Sequence, residues 1–198
     1  MQWQIGVLLV WTNVRLVLGI SAGIAINLLP DLIAALRLRS ADIDAILTPN
    51  AQRMVSPVFV SGLTGRRVYT DGLSDDAGWE VPHIKLVRDA AAFLVAPATA
   101  NVVAKLGGGI ADNLLTTAFV ACRAARIVCP AMHPDMWQNS IVQENIDRLR
   151  RHNILIVDPV FGFCSSGDTG VGAMADPHTI VRAVEQALGF EPQAENES

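Results

Sequence analysis

The amino-acid sequence predicts an α/β fold, a parallel β-sheet with helices packed on both faces. Two features point to it. Short apolar runs alternate along the chain with longer stretches whose apolar residues fall at helical spacing. The runs are continuous rather than alternating in polarity, as strands buried on both faces require.

Taken in order, residues 14–19 (VRLVLG) read as a first buried strand ending in glycine. Ser21-Ala22-Gly23 opens a helical stretch to about Arg39, with Leu28, Leu32, Ile33 and Leu36 on one face. Pro30 lies inside that stretch and predicts either a kink or the start of a second helix. Residues 43–47 (IDAIL) form the next strand, stopped by Thr48-Pro49, and 52–62 read as helix or turn. The segment 64–82 reads mostly as loop around one short strand at 67–70. A buried strand follows at 93–96, then a helix from about Ala100, glycines at 107–109 and a helix over 113–123. Residues 127–129 are a further strand. Val142, Ile146 and Leu149 give 139–151 helical spacing; 154–157 is the last strand and 177–188 a closing helix. The whole of 1–198 reads as one domain, with 1–13 an N-terminal extension and 191–198 a polar tail.

Composition excludes several function classes. A net charge of −4 leaves no basic footprint for nucleic acid. Cys122, Cys129 and Cys164 form no CxxC pair, so neither a disulfide framework nor a metal site is expected, and a reducing cytoplasm fits. Residues 16–29 carry no charge, yet Arg15 and Asp31 bound the run below the roughly 18 apolar residues of a membrane span. No membrane anchor is expected. Apolar residues make up 51% of the chain and charged ones 17%, a balance that hints at helix faces buried against other subunits.

In a doubly wound sheet, ligands sit beyond the carboxyl ends of the strands. That singles out the loops at 20–23, 48–51, 97–101 and 130–137. Gly19-Ile20-Ser21-Ala22-Gly23 leads small residues into a helix start, a seat for a phosphate. It lacks GxGxxG spacing, and a plain β–α turn accounts for it equally. Thr48 could add a hydroxyl, or simply start a helix. Within Pro97-Ala98-Thr99-Ala100-Asn101, small residues let a flat ring approach, while Thr99 and Asn101 offer hydrogen bonds. Asp112 and Asn113 are explained by capping alone. Met132 could be core, whereas His133, between Met132 and Pro134 at a strand end, is placed like a site residue.

These residues carry a family resemblance. Segments 97–117 (PATANVVAKLGGGIADNLLTT) and 130–137 (PAMHPDMW) resemble the PASANT and PxMNxxMW motifs of the homo-oligomeric flavin-containing cysteine decarboxylases. VLGISAGIA and LTPNA are similar to that family's flavin-phosphate loops, and VPHIKLVRDAAAFLVAP to the segment bearing its active-site histidine. The resemblance implies a flavodoxin-like domain binding FMN at the interface of a homotrimer or a dodecamer of trimers. It implies Gly19, Ile20, Ser21, Thr48, Ala98, Thr99 and Ala100 as cofactor-binding and His83 and Asn101 as catalytic. Asn101, Met132, His133, Ser166 and Met174 would contact substrate. The implied chemistry removes two electrons from the carbon bearing sulfur, so that the thioaldehyde lying beta to the carboxylate can accept electrons as CO2 leaves.

Two departures bear on the branch. His133 stands where the motif has asparagine, and a histidine holds a carboxylate only as a donor. In FCSSGDTGVGAMADP, similar to the substrate clamp of phosphopantothenoylcysteine decarboxylase, Ser166 replaces the cysteine that helps reduce the enethiol, and Cys164 lies two residues earlier. A hydroxyl cannot cycle through a disulfide. An unreduced enethiol is then expected, as in the lantibiotic and linaridin decarboxylases that act on a precursor peptide with a C-terminal cysteine. The rivals are phosphopantothenoylcysteine decarboxylase of coenzyme A biosynthesis and a non-catalytic flavin-binding regulatory subunit.

Overall fold

A computed structural model describes residues 11–71, 82–163 and 166–190. Six parallel strands form the main sheet: β1 (Arg15–Ile20), β2 (Asp42–Leu47), β3 (Val68–Thr70), β4 (Ala92–Ala98), β5 (Ala125–Pro130) and β6 (Leu155–Ile156), in the order β3-β2-β1-β4-β5-β6. The fold is flavodoxin-like, with β3 a short addition at one edge. Between β1 and β4 the order reverses, and that is the topological switch point.

The unbroken apolar strands are explained by burial on both sides. Side chains alternate across a strand, so β1 sends Leu16, Leu18 and Ile20 into one core and Val17 into the other. The first core is closed by α1 (Leu29–Leu38), α2 (Pro57–Thr64) and α8 (Pro177–Ala187) through Leu32, Leu36, Val60, Ile180 and Val184. The second is closed by α3 (Pro82–Arg88), α4 (Ala100–Gly108), α5 (Leu114–Ala121) and α7 (Ser140–Arg151) through Leu86, Val103, Phe119 and Ile146. Gly19 faces that second layer, where a Cβ would lie 2.9 Å from Leu115 Cδ1, so α5 packs directly on bare backbone.

Pro30 sits in the first turn of α1, behind a 3-10 turn at Ile24–Leu28, so it starts a second helix instead of kinking one. Trp11, within the segment read as an extension, is buried and stacks on Phe190 at 6.0 Å between ring centroids.

Further elements go beyond the sequence reading. Residues 134–138 form a short helix, α6 (Pro134–Gln138), before α7. Then β7 (Val160–Phe163) and β8 (Thr169–Ala173) pair antiparallel in a two-stranded sheet of their own. Its glycines carry no propensity for strand, and they are there for contact. A Cβ on Gly170 would meet Pro134 Cβ at 2.8 Å, and one on Gly172 would meet the Met132 carbonyl at 2.3 Å. The hairpin therefore rests on the β5–α6 loop with no side chains between, and the Met132 N–H donates to the Gly172 carbonyl at 2.9 Å. Among the described residues, no helix is long and apolar enough to cross a membrane.

Candidate active site

The two loops flanking the switch point are tied to each other. The Ser21 hydroxyl donates to the Pro97 carbonyl at 2.7 Å and accepts the Thr99 N–H at 3.0 Å. Ser21 N–H also donates to Pro97 at 3.2 Å. Thr99 then caps α4, its hydroxyl accepting from Val102 N–H at 3.4 Å. The 3-10 turn that follows β1 begins at Gly23 with no side chain capping it.

Between these loops, the β5–α6 loop and the hairpin lies a cavity of about 470 Å³. Ala22, Gly23, Thr99 and Ala100 line its floor, Met132 and His133 its wall, and Ser166, Gly172 and Met174 the hairpin side. Five residues singled out from sequence thus converge with Thr99: Ala100, Met132, His133, Ser166 and Met174. A hollow of about 630 Å³ beside β6 and α8 is lined by none of them.

Other sequence candidates sit elsewhere. Gly19, Ile20 and Ala98 are buried within β1 and β4, framing the loops rather than lining the space. The Thr48 hydroxyl accepts from Ala51 N–H at 3.2 Å, so it caps the turn after β2. Asn101 is exposed on the first turn of α4, and His83 is half-buried on α3, which packs against α5; neither lines the cavity. Asn113 caps α5, accepting from Thr116 N–H at 3.0 Å, while Asp112 pairs with Lys105 at 2.6 Å. Cys164 lies outside the described residues. Among these, no group of three or more His, Cys, Asp or Glu is arranged to hold a metal ion.

His133 has a definite setting. Its Nδ1 accepts the Asp135 N–H at 3.2 Å, capping α6, and its Nε2 lies 3.0 Å from Asp168 Oδ2. An accepting Nδ1 leaves the ring proton on Nε2, which donates to Asp168. The Ser166 hydroxyl donates to the same carboxylate oxygen at 2.8 Å. Together, the imidazole first and the hydroxyl second hold the Asp168 carboxyl below the usual carboxylate range. Sequence reading passed over Asp168 as a site residue, and the signal available was an acidic residue in a Ser/Gly turn of the clamp-like segment.

The flavoprotein family model matches residues 11–189. The chain belongs to the flavoprotein family. It is 36% identical over 179 residues to the coenzyme A biosynthesis bifunctional protein CoaBC of Vibrio vulnificus, covering 90% of this chain and 44% of that protein. The chain thus spans less than half the length of the curated relatives it matches. Among solved structures it is similar to the FMN-dependent cysteine decarboxylase SpaF (29% identity, TM-score 0.77, 88% of this chain and 97% of that one). A cysteine-to-serine variant of PPC decarboxylase complexed with pantothenoylaminoethenethiol gives 29% and 0.79 over 87% and 97% of the two chains. The peptidyl-cysteine decarboxylase EpiD gives 26% and 0.74 over 86% and 97%. Family membership makes the chain a flavoprotein, and its solved neighbours at 26–29% identity include cysteine decarboxylases.

Proposed function

We propose that the chain is an FMN-dependent decarboxylase that converts a C-terminal peptidyl cysteine to an enethiol. The carrying observation is the Ser166 hydroxyl at the cavity wall, bonded to Asp168, in the place where the clamp of the coenzyme A branch has a thiol. A hydroxyl cannot pass electrons back to the product. Cys122 and Cys129 are buried under the sheet, and burial pushes both thiols up, away from reactivity. A serine variant of PPC decarboxylase complexed with pantothenoylaminoethenethiol is consistent with a reaction that stops at the enethiol.

The residues present fit FMN. Small side chains at Ala22, Gly23 and Ala100 leave backbone for a flat ring to rest on, and the uncapped turn after Ser21 offers amides to a phosphate. Bound there, flavin supplies a two-electron acceptor for the carbon bearing sulfur. This chain's residues do the rest. His133 Nε2–H is a donor to a carboxylate, and Met132 and Met174 keep water from the reacting carbon. His83 stands outside the cavity of its own chain, so its proton-accepting role falls on the site of a neighbouring copy in a homo-oligomer, within a reducing compartment. Among the described residues, the polar side chains lining the cavity are Asn27, Thr99, His133 and Ser166, and Phe163 at the rim is exposed.

The reading is tested by incubating the flavin-loaded protein with peptides ending in cysteine. Loss of CO2 and two hydrogens is expected, and an unchanged mass in every peptide overturns it. Identity of 36% to CoaBC over 90% of the chain favours a second reading, decarboxylation of 4′-phosphopantothenoylcysteine. A saturated thiol product from that compound would establish it instead.

A further inference from the structure

We propose that Asp168 is a built-in competitor for the carboxylate of the substrate, occupying the His133 Nε2–H that a cysteine carboxylate must engage. The proposal rests on the decarboxylase reading above and adds a residue that governs specificity within it. His133 lines the cavity with its side chain 29% exposed, and its Nδ1 is fixed by the Asp135 N–H. Nε2–H is then the one donor the ring offers, and Asp168 holds it at 3.0 Å.

The groups around this contact make it exchangeable. Asp168 is 62% exposed, and its second donor, the Ser166 hydroxyl, belongs to the same turn. The Asp135 carboxylate lies 3.6 Å from Nδ1 on the far side of the ring, where it cannot take the Nε2 proton. An incoming carboxylate has the same chemistry as Asp168, so one hydrogen bond replaces another. What the ligand must overcome is the high effective concentration of a tethered competitor. Its apparent affinity is reduced by the fraction of molecules in which His133 is released. A C-terminal amide presents a neutral, weaker acceptor, so it gains less from that release and depends less on Asp168.

The test uses the FMN-loaded protein and a tripeptide ending in S-methylcysteine, as the free acid and as the C-terminal amide, titrated against the flavin absorbance. Asp168→Ala is expected to tighten the free acid about three- to tenfold and the amide by less. Asp168→Asn, equal in size, gives a smaller gain and covers the case in which alanine disturbs the turn. His133→Ala should abolish preference for the acid with either residue at 168. Unchanged or weakened acid binding in both Asp168 variants overturns the competition alone. No response to acid or amide in any form overturns both the competition and the cysteine-carboxylate reading.

Discussion

Ser21 and Thr99, 78 residues apart in sequence, are joined through one hydroxyl that accepts the Thr99 N–H at 3.0 Å. The same oxygen donates to Pro97, so a single side chain fixes the spacing of the two loops that frame the switch point. Ser21→Ala leaves the Thr99 N–H without this acceptor, while the Pro97 carbonyl keeps the backbone N–H of position 21. The expected cost is about 1–2 kcal/mol in chemical denaturation, accompanied by weaker flavin retention on dialysis. Full retention of flavin would show that the loops keep their spacing without this link.

Gly172 sits where a methyl group would meet a carbonyl oxygen at 2.3 Å. Backbone cannot yield as a side-chain tip does. Gly172→Ala is therefore expected to lift the hairpin from the β5–α6 loop and cost about 1–3 kcal/mol. Protease cleavage near the hairpin should accelerate, and limited proteolysis reads it directly.

Asp44 is buried in β2 between Arg15 at 2.6 Å and Arg66 at 2.9 Å. Removing it leaves two partly exposed guanidinium groups with more distant carboxylates, Asp89 at 3.9 Å from Arg15 and Asp42 at 3.5 Å from Arg66. Asp44→Ala should destabilise by about 2 kcal/mol, less than for a fully buried pair because the arginines reach solvent. Asp44 lies three residues before the carboxyl end of its strand, so flavin content per folded protein should not change.

Asp176 caps α8, accepting from Thr179 N–H at 3.0 Å and from the Thr179 hydroxyl at 2.6 Å. The hydroxyl's hydrogen bond leads in holding its carboxyl below the ordinary value. A depressed carboxyl stabilises the fold fully above the unfolded carboxylate range and loses that contribution as pH falls through the folded value. Asp176→Ala should cost about 1 kcal/mol at neutral pH. Denaturation measured down the acid range should show the gap to the wild type closing.

His83 lies on α3, apart from the cavity of its own chain. His83→Asn is expected to keep flavin and lose turnover. Mixed oligomers of His83→Asn with His133→Ala should regain activity, because one interface then carries both intact residues. Mixtures as inactive as their parents would tie His83 to the site of its own chain.

The sheet was legible because burial on both faces leaves a local mark: residues 14–19 and 93–96 are apolar without interruption. The Ser21 and Thr99 turns were legible for the same reason, since small residues before a helix start are a local pattern. The hairpin was not. Its glycines look like loop, and the contact with Met132 and Pro134 that explains them is long-range. His133 could be picked out by position, but its tautomer depends on Asp135 and Asp168, and the second partner is 35 residues away. Thr48 illustrates the opposite case, a polar loop residue whose hydroxyl is taken up by capping, while Asn113 caps α5 as its place before a helix start indicated.

The hairpin pairs with itself and joins the main sheet by no strand-to-strand ladder. Val160 and Phe161 on β7 are exposed at 45% and 71%, and Phe163, 84% exposed, stands at the cavity rim, so their identity is unconstrained by the core. Such a segment behaves as a cassette. Transplanting another β-hairpin between Asp158 and Asp176, with glycines preserved at 170 and 172, would alter which molecules are admitted while the flavin seat keeps its architecture.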